Sequence, residues 1–140
     1  MFVCWVALFY CHNANMMGKS IYVINLNKPT GHFPRVAYCS SFFCRLRGLM
    51  FRSRISPNEG LLLVQSKRDS RMDSSIHMLF VPFDLAVFWI NSDMQVVDKV
   101  IAKPWKPAYL SAKPARFVLE IHPDHWGTYE IGDTVEFQNA

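Results

Sequence analysis

At 140 residues the chain suits one domain with a sizeable core, and a composition of 51% apolar against 19% charged residues excludes a disordered chain. The net charge of +4 is modest, and the basic residues are spread over loops and turns with acids between them, which makes nucleic acid an unlikely partner. Among the four cysteines (Cys4, Cys11, Cys39 and Cys44) no pair has C-x-x-C spacing, which excludes a zinc knuckle or a dithiol redox motif.

In chain order, residues 1–18 open with "MFVCWVALFYC", an apolar run too short to span a bilayer as a helix. It lacks the leading basic residues and the cleavage site of an export signal. We read it as an upstream start artefact, with translation beginning at Met16 or Met17, and keep a degenerate export signal over residues 1–15 as the alternative. A cytoplasmic location is the corresponding expectation. A phosphate-loop reading of "GKS" at Gly18 fails, because the glycine it needs five residues earlier is Asn13.

Residues 19–140 read as a single β-rich domain. "KSIYVINL" is a β-branched and aromatic strand ending at the turn "NKPTG", and "RVAYCS" is its partner. In "SFFCRLRG" the period becomes helical: Phe42, Phe43 and Leu46 share a face, Ser40 or Ser41 is the N-cap and Gly48 the C-terminal cap. Leu49, Met50 and Phe51 then return to the core, with Arg45 and Arg52 solvated. "LLLV" (61–64) is a short strand, and the charged 65–75 stretch a solvated excursion. "SIHMLFVPFDLAVFWI" (75–90) reads as two strands meeting at Pro82. "NSD" turns the chain into "QVVDKVIA" (95–102), a hairpin. Three prolines keep 103–115 irregular. "RFVLEI" is a strand with Arg116, Val118 and Glu120 on one face; Pro123 opens one or two helical turns; "TVEF" (134–137) closes the chain. The sum is mainly β: an antiparallel β-sandwich or partly open barrel of about seven or eight short strands with one or two short helices.

Four residues stand out as a candidate ligand pocket. His77 and Asp84 are ionisable groups inside the longest apolar region, and buried groups of this kind must find partners. A polar pocket at the strand bend competes with a structural His–Asp or Arg–Asp pair. Arg47 is the arginine expected to reach inward to a carboxylate, with Asp84 as the named partner. Trp105, between Lys103 and Lys106 in the proline-rich loop, either stacks on a ligand as a lid or folds back as a plug. His122 and His125 sit at a helix start without a third ligand, so exposed polar residues are expected there rather than a metal site. Cys39 and Cys44 could meet across a turn, yet a small buried thiol is the commoner fate; the pairing stays open.

Taken in order, "FFCRLRGLMFR", "GLLL", "SIHMLFVPFDLAVFWI", "KPWKP" and "FVLEIHPDHWGTYEIGDTVEF" resemble the bacterial and archaeal domain-of-unknown-function family 192 (DUF192) over Ile21 to Phe137. The resemblance implies one β-rich, sandwich-like domain with a short helix carrying the arginines, and brings no established activity, cofactor or substrate. It directs attention to Arg47, Gly48, His77 and Asp84, and more loosely to Trp105. This chain departs from the family pattern in the longer excursion "SKRDSRMDSS" and in "HPDHWGTYE", where small residues are expected.

The function expected from these residues is a non-enzymatic domain binding a small molecule or a protein, with no cofactor and no metal. The first alternative is a small hydrolase or transferase with His77 as general base and Asp84 as its orienter. The second is an anion- or nucleic-acid-binding module resting on Arg45, Arg47, Arg52 and Arg54.

Overall fold

A computed structural model describes residues 19–65 and 68–140 of the protein. The expectations for residues 1–18, with Cys4 and Cys11, lie outside the described residues. Strand β1 (Ser20–Asn25) buries alternate residues, as its pattern requires. It is followed by β2 (Arg35–Cys39), helix α1 (Phe42–Arg47), β3 (Glu59–Val64), β4 (Leu85–Ile90), β5 (Val96–Ala102), β6 (Phe117–Ile121), a 3-10 turn (Pro123–His125) and β7 (Val135–Asn139). The seven strands of the described residues belong to one mixed sheet in the order β5-β4-β6-β3-β2-β1-β7.

The expected mainly-β class and the two brief helical pieces are present. The sandwich is not: the described residues form one sheet. Its strands are not all antiparallel either, because β2 and β3 run parallel, Arg35 beside Glu59 through Cys39 beside Leu63. Parallel neighbours need a crossover. The segment carrying α1 supplies it, lying across one face of the sheet. The edge strands β5 and β7 approach each other at an isolated bridge between Gln95 and Thr134, and the sheet is otherwise not closed.

Both faces of the central strands are covered, so β4 and β6 are buried along their whole length. On one face Leu62, Phe88, Ile90, Leu119 and Ile121 pack with Val23 and Tyr129. The Tyr129 hydroxyl donates to the Val23 carbonyl at 2.6 Å, and burial pushes its pKa above the ordinary phenol value. On the other face Leu61, Leu63, Val87, Trp89 and Val118 pack with Leu49, Ile76, Met78 and Val81. Loops and α1, rather than a second sheet, form that layer. Gly60, at the parallel crossover, has no room for a side chain: a Cβ there would lie 2.5 Å from Ile121 Cγ2 and 2.7 Å from the Glu120 carbonyl.

The two-strand reading of residues 75–90 needs correction. Only Leu85–Ile90 is a strand, hairpinned to β5 as expected. Residues 76–81 bond to the proline-rich loop instead: Ile76 and Tyr109 exchange backbone hydrogen bonds, Met78 N–H donates to the Lys106 carbonyl, and Trp105 N–H donates to the Met78 carbonyl. A turn from Met78 to Val81, with Phe80 at φ 60°, ends any ladder before Pro82. Apolar content alone could not distinguish a sheet strand from a segment pinned to a loop.

Candidate functional site

The site begins with α1. Ser41 caps it, its hydroxyl accepting from Cys44 N–H at 3.2 Å, and the Gly48 N–H closes it on the Cys44 carbonyl at 2.8 Å. Gly48 has φ 48° and ψ −125°, a combination that a side chain strongly disfavours. A disulfide joins Cys39, at the end of β2, to Cys44 in the helix. No residue of α1 is buried. Phe42, Phe43 and Leu46 are 64%, 78% and 54% exposed, so the apolar face of the helix faces outward; Leu49 goes into the core, as expected. With six residues and no buried face, α1 is held by its cap, the disulfide, and Arg45, whose Nη1 donates to the Val64 carbonyl at 3.0 Å.

Between α1, the 75–78 segment and the sheet lies an open-mouthed cavity of about 50 Å³. That is room for about four waters, or for the head of a small molecule. Its polar lining is Arg45, Arg47, Gly48, Ser75, His77 and Glu120. Glu120 is 5% exposed and projects from the central strand β6, behind Gly48, whose Cβ would sit 3.9 Å from Glu120 Oε2. Its carboxyl has no hydrogen bond and no ion pair among the described residues. Burial disfavours the charged form and pushes its pKa up to about 7.

Of the four residues expected to form a pocket, Arg47 and His77 are brought together here, both half-buried and both lining the cavity. Arg47 makes no hydrogen bond or ion pair among the described residues. His77 Nδ1 accepts from Leu79 N–H at 3.3 Å, which leaves the proton of the neutral ring on Nε2. Asp84 is elsewhere: it pairs with Lys103 at 2.9 Å in a half-exposed ion pair, so the expected Arg47–Asp84 and His77–Asp84 pairs are absent. The carboxyl beside Arg47's cavity is that of Glu120. Trp105 is outside the lining as well. It is 54% exposed and meets Phe80 edge-on at 5.2 Å, while Phe80 stacks on Phe51 at 4.9 Å. Phe51 is 48% exposed rather than in the core.

Arg45 and Arg52, expected to be solvated, each make a contact within the chain: Arg52 pairs with Glu59 at 2.7 Å while staying half-exposed, and Arg45 is bonded as described. His125 is not an exposed helix-start residue. It is buried, with Nε2 2.6 Å from the Pro57 carbonyl and Nδ1 3.3 Å from Thr128 Oγ1. Among the described residues no group of three or more His, Cys, Asp or Glu side chains is placed to hold a metal. Glu120 is the site residue that the sequence reading did not single out. Its signal was available: an acid between Leu119 and Ile121, in a strand short enough and apolar enough to be buried on both faces.

This fold and these residues can be set beside known proteins. The family profile of DUF192, described as Uncharacterized ACR, COG1430, matches residues 24–137. The chain belongs to the DUF192 family. Similar curated DUF192-type proteins carry the name UPF0127: one from Thermococcus kodakarensis is 34% identical over 98 residues, 70% of this chain and 60% of that protein. Another, from Pyrococcus furiosus, is 32% identical over 98 residues, 70% of this chain and 80% of that protein. The chain thus spans about 60% of the length of the Thermococcus protein. A crystal structure of a protein of unknown function from Novosphingobium aromaticivorans superposes with a TM-score of 0.71 at 23% identity, over 84% of this chain and 83% of that one. One from Sinorhizobium meliloti, described as a candidate transcription regulator, gives 0.71 at 22% identity over 85% and 92%. At these identities the two structures share the DUF192 fold with this chain, and the fold alone.

Proposed function

We propose that this DUF192 domain is a non-enzymatic ligand-binding module whose site is the cavity between α1, the 75–78 segment and Glu120. The observation that carries the reading is the pairing state of the lining. Glu120 is a buried carboxyl with no partner, and Arg47 is a half-buried cation with none, although both line one cavity. Burying a carboxyl without a hydrogen-bonding partner in the protein costs about 1–3 kcal/mol, more when it is charged, unless water or a ligand in the cavity supplies one. A ligand or ordered water that bridges Glu120 and Arg47 removes the cost. His77 Nε2–H and the Ser75 hydroxyl add hydrogen-bonding capacity at the same walls.

A protein-observed NMR screen with small polar fragments tests the reading. Shift changes are expected to concentrate at Arg45–Met50, at Ser75–Met78 and at Glu120. Hits scattered elsewhere, or a library that leaves these signals still, end it. The enzymatic alternative is favoured by one observation, the Glu120 carboxyl at about 7, which suits a general acid or base near neutrality. It has lost the orienter assigned to His77, because Asp84 is engaged by Lys103. The nucleic-acid alternative has less support, since Arg45 and Arg52 are spent on contacts within the chain.

A further inference from the structure

The charges of the cavity point to the kind of ligand it accepts. Two guanidinium groups, Arg45 and Arg47, line it against one carboxyl, Glu120. Arg45 is bonded to a neutral carbonyl and Arg47 to nothing among the described residues, so neither charge is cancelled by an ion pair. With Glu120 ionised the lining keeps a surplus of one positive charge, and with Glu120 protonated a surplus of two. A cation entering would face that surplus in both states; a monoanion is favoured by it, most strongly when Glu120 is protonated and its own repulsion is gone. The surroundings are also apolar on one side. Leu46 lines the cavity while remaining 54% exposed, and Phe42 and Phe43 lie one helical turn before it on the same face, 64% and 78% exposed. Large apolar side chains clustered this way beside a polar pocket mark a surface that is covered in use. The cavity itself, at about 50 Å³, admits a headgroup and no more.

We propose that the pocket takes the carboxylate of a small organic acid bearing an apolar chain, its headgroup held between Arg47 and Glu120 and its chain laid over Leu46 and the Phe42–Phe43 face. This rests on the cavity being the binding site. A carboxylate cannot lie beside an ionised Glu120 without repulsion, so Glu120 must be protonated and donate its proton to the bound anion. Binding therefore takes up one proton above the pKa of Glu120 and none well below it. The ionisable and charged groups facing Glu120 across the cavity are Arg45 and Arg47 from α1 and His77 from the 75–78 segment.

The experiment compares three probes, hexanoate, acetate and hexylammonium, by NMR titration of the same chain between about pH 5.5 and pH 8.5. Hexanoate is expected to bind at the cavity several-fold more tightly than acetate. Its affinity is expected to fall about tenfold per pH unit above pH 7. Glu120→Gln, which keeps a hydrogen-bond donor, is expected to bind hexanoate with no such pH dependence. Arg47→Ala, checked for folding by its amide spectrum, is expected to lose at least tenfold in affinity. Hexylammonium binding in preference, with affinity rising with pH, overturns the anion inference and leaves the binding-site reading standing. Equal binding of hexanoate and acetate overturns the apolar-chain part. If no probe moves the cavity signals the inference falls, and the fragment screen decides separately whether the cavity binds anything.

Discussion

At the scale of single residues, Glu120 is where packing and charge conflict. Its neighbours Leu119 and Ile121 and the strands on either side hold its backbone in the middle of the sheet, so the carboxyl meets water only through the cavity. The consequence for stability has a definite sign. The folded carboxyl titrates near 7 and the unfolded one near 4.5, so the folded state binds the proton more tightly. Below about pH 4.5 both states are protonated and Glu120 carries no ionisation penalty. As pH rises towards 7 the penalty grows to about 3 kcal/mol and stays there. Glu120→Gln removes the titration. Urea unfolding should therefore show the variant gaining on the wild type by about 3 kcal/mol between pH 4.5 and about pH 8. A gap that does not move with pH would mean that Glu120 is solvated or paired in solution.

At the scale of elements, α1 matters most, because it forms a wall of the site without a core of its own. A helix of six residues is far below the length at which helices persist unaided, and none of its side chains is buried. The Cys39–Cys44 disulfide closes a short loop between sheet and helix. Constraining a loop of that size is worth about 2 kcal/mol in the chain-entropy description. The Cys39→Ser, Cys44→Ser double variant should lose stability on that order. Hydrogen exchange should rise first in residues 42–48, with the sheet amides of β3, β4 and β6 still protected. Uniform loss of protection across the sheet would instead make the disulfide a global staple rather than a tether for the wall.

At the scale of the whole molecule, one sheet serves two cores. Successive residues of β4 alternate between them: Phe88 packs with Tyr129 on one face, and Trp89 packs on the other, its indole N–H donating to the Ser74 carbonyl at 2.8 Å. Neither core can come apart while the other keeps β4 and β6 in place, so the domain should unfold as one unit. Phe88→Ala and Leu85→Ala, on opposite faces, are each expected to cost about 3–5 kcal/mol and about 2–5 kcal/mol respectively. Both should shift a single transition, seen identically by far-ultraviolet circular dichroism and tryptophan fluorescence. Two separated transitions in either variant would show independent halves.

Much was legible in the chain because it is local. β-Branched and aromatic residues ahead of a turn marked β1, the turn residues at 91–93 marked the β4–β5 hairpin, Ser41 and Gly48 marked the ends of α1, and five ordered blocks marked the family. Three things depended on what lay across space. The parallel β2–β3 pairing follows from where α1 crosses the sheet, and no residue of either strand encodes direction. The 75–84 segment had the composition of a strand, but its backbone partners came from the proline-rich loop, about thirty residues later in the chain. The partner of Asp84 proved to be Lys103, which left Arg47 lining the same cavity as Glu120, a residue made exceptional by the packing on both faces of its sheet. Secondary structure follows from the periodicity of neighbours in sequence. The cost of a charge depends on which groups the folded chain sets against it, and only the tertiary structure decides that.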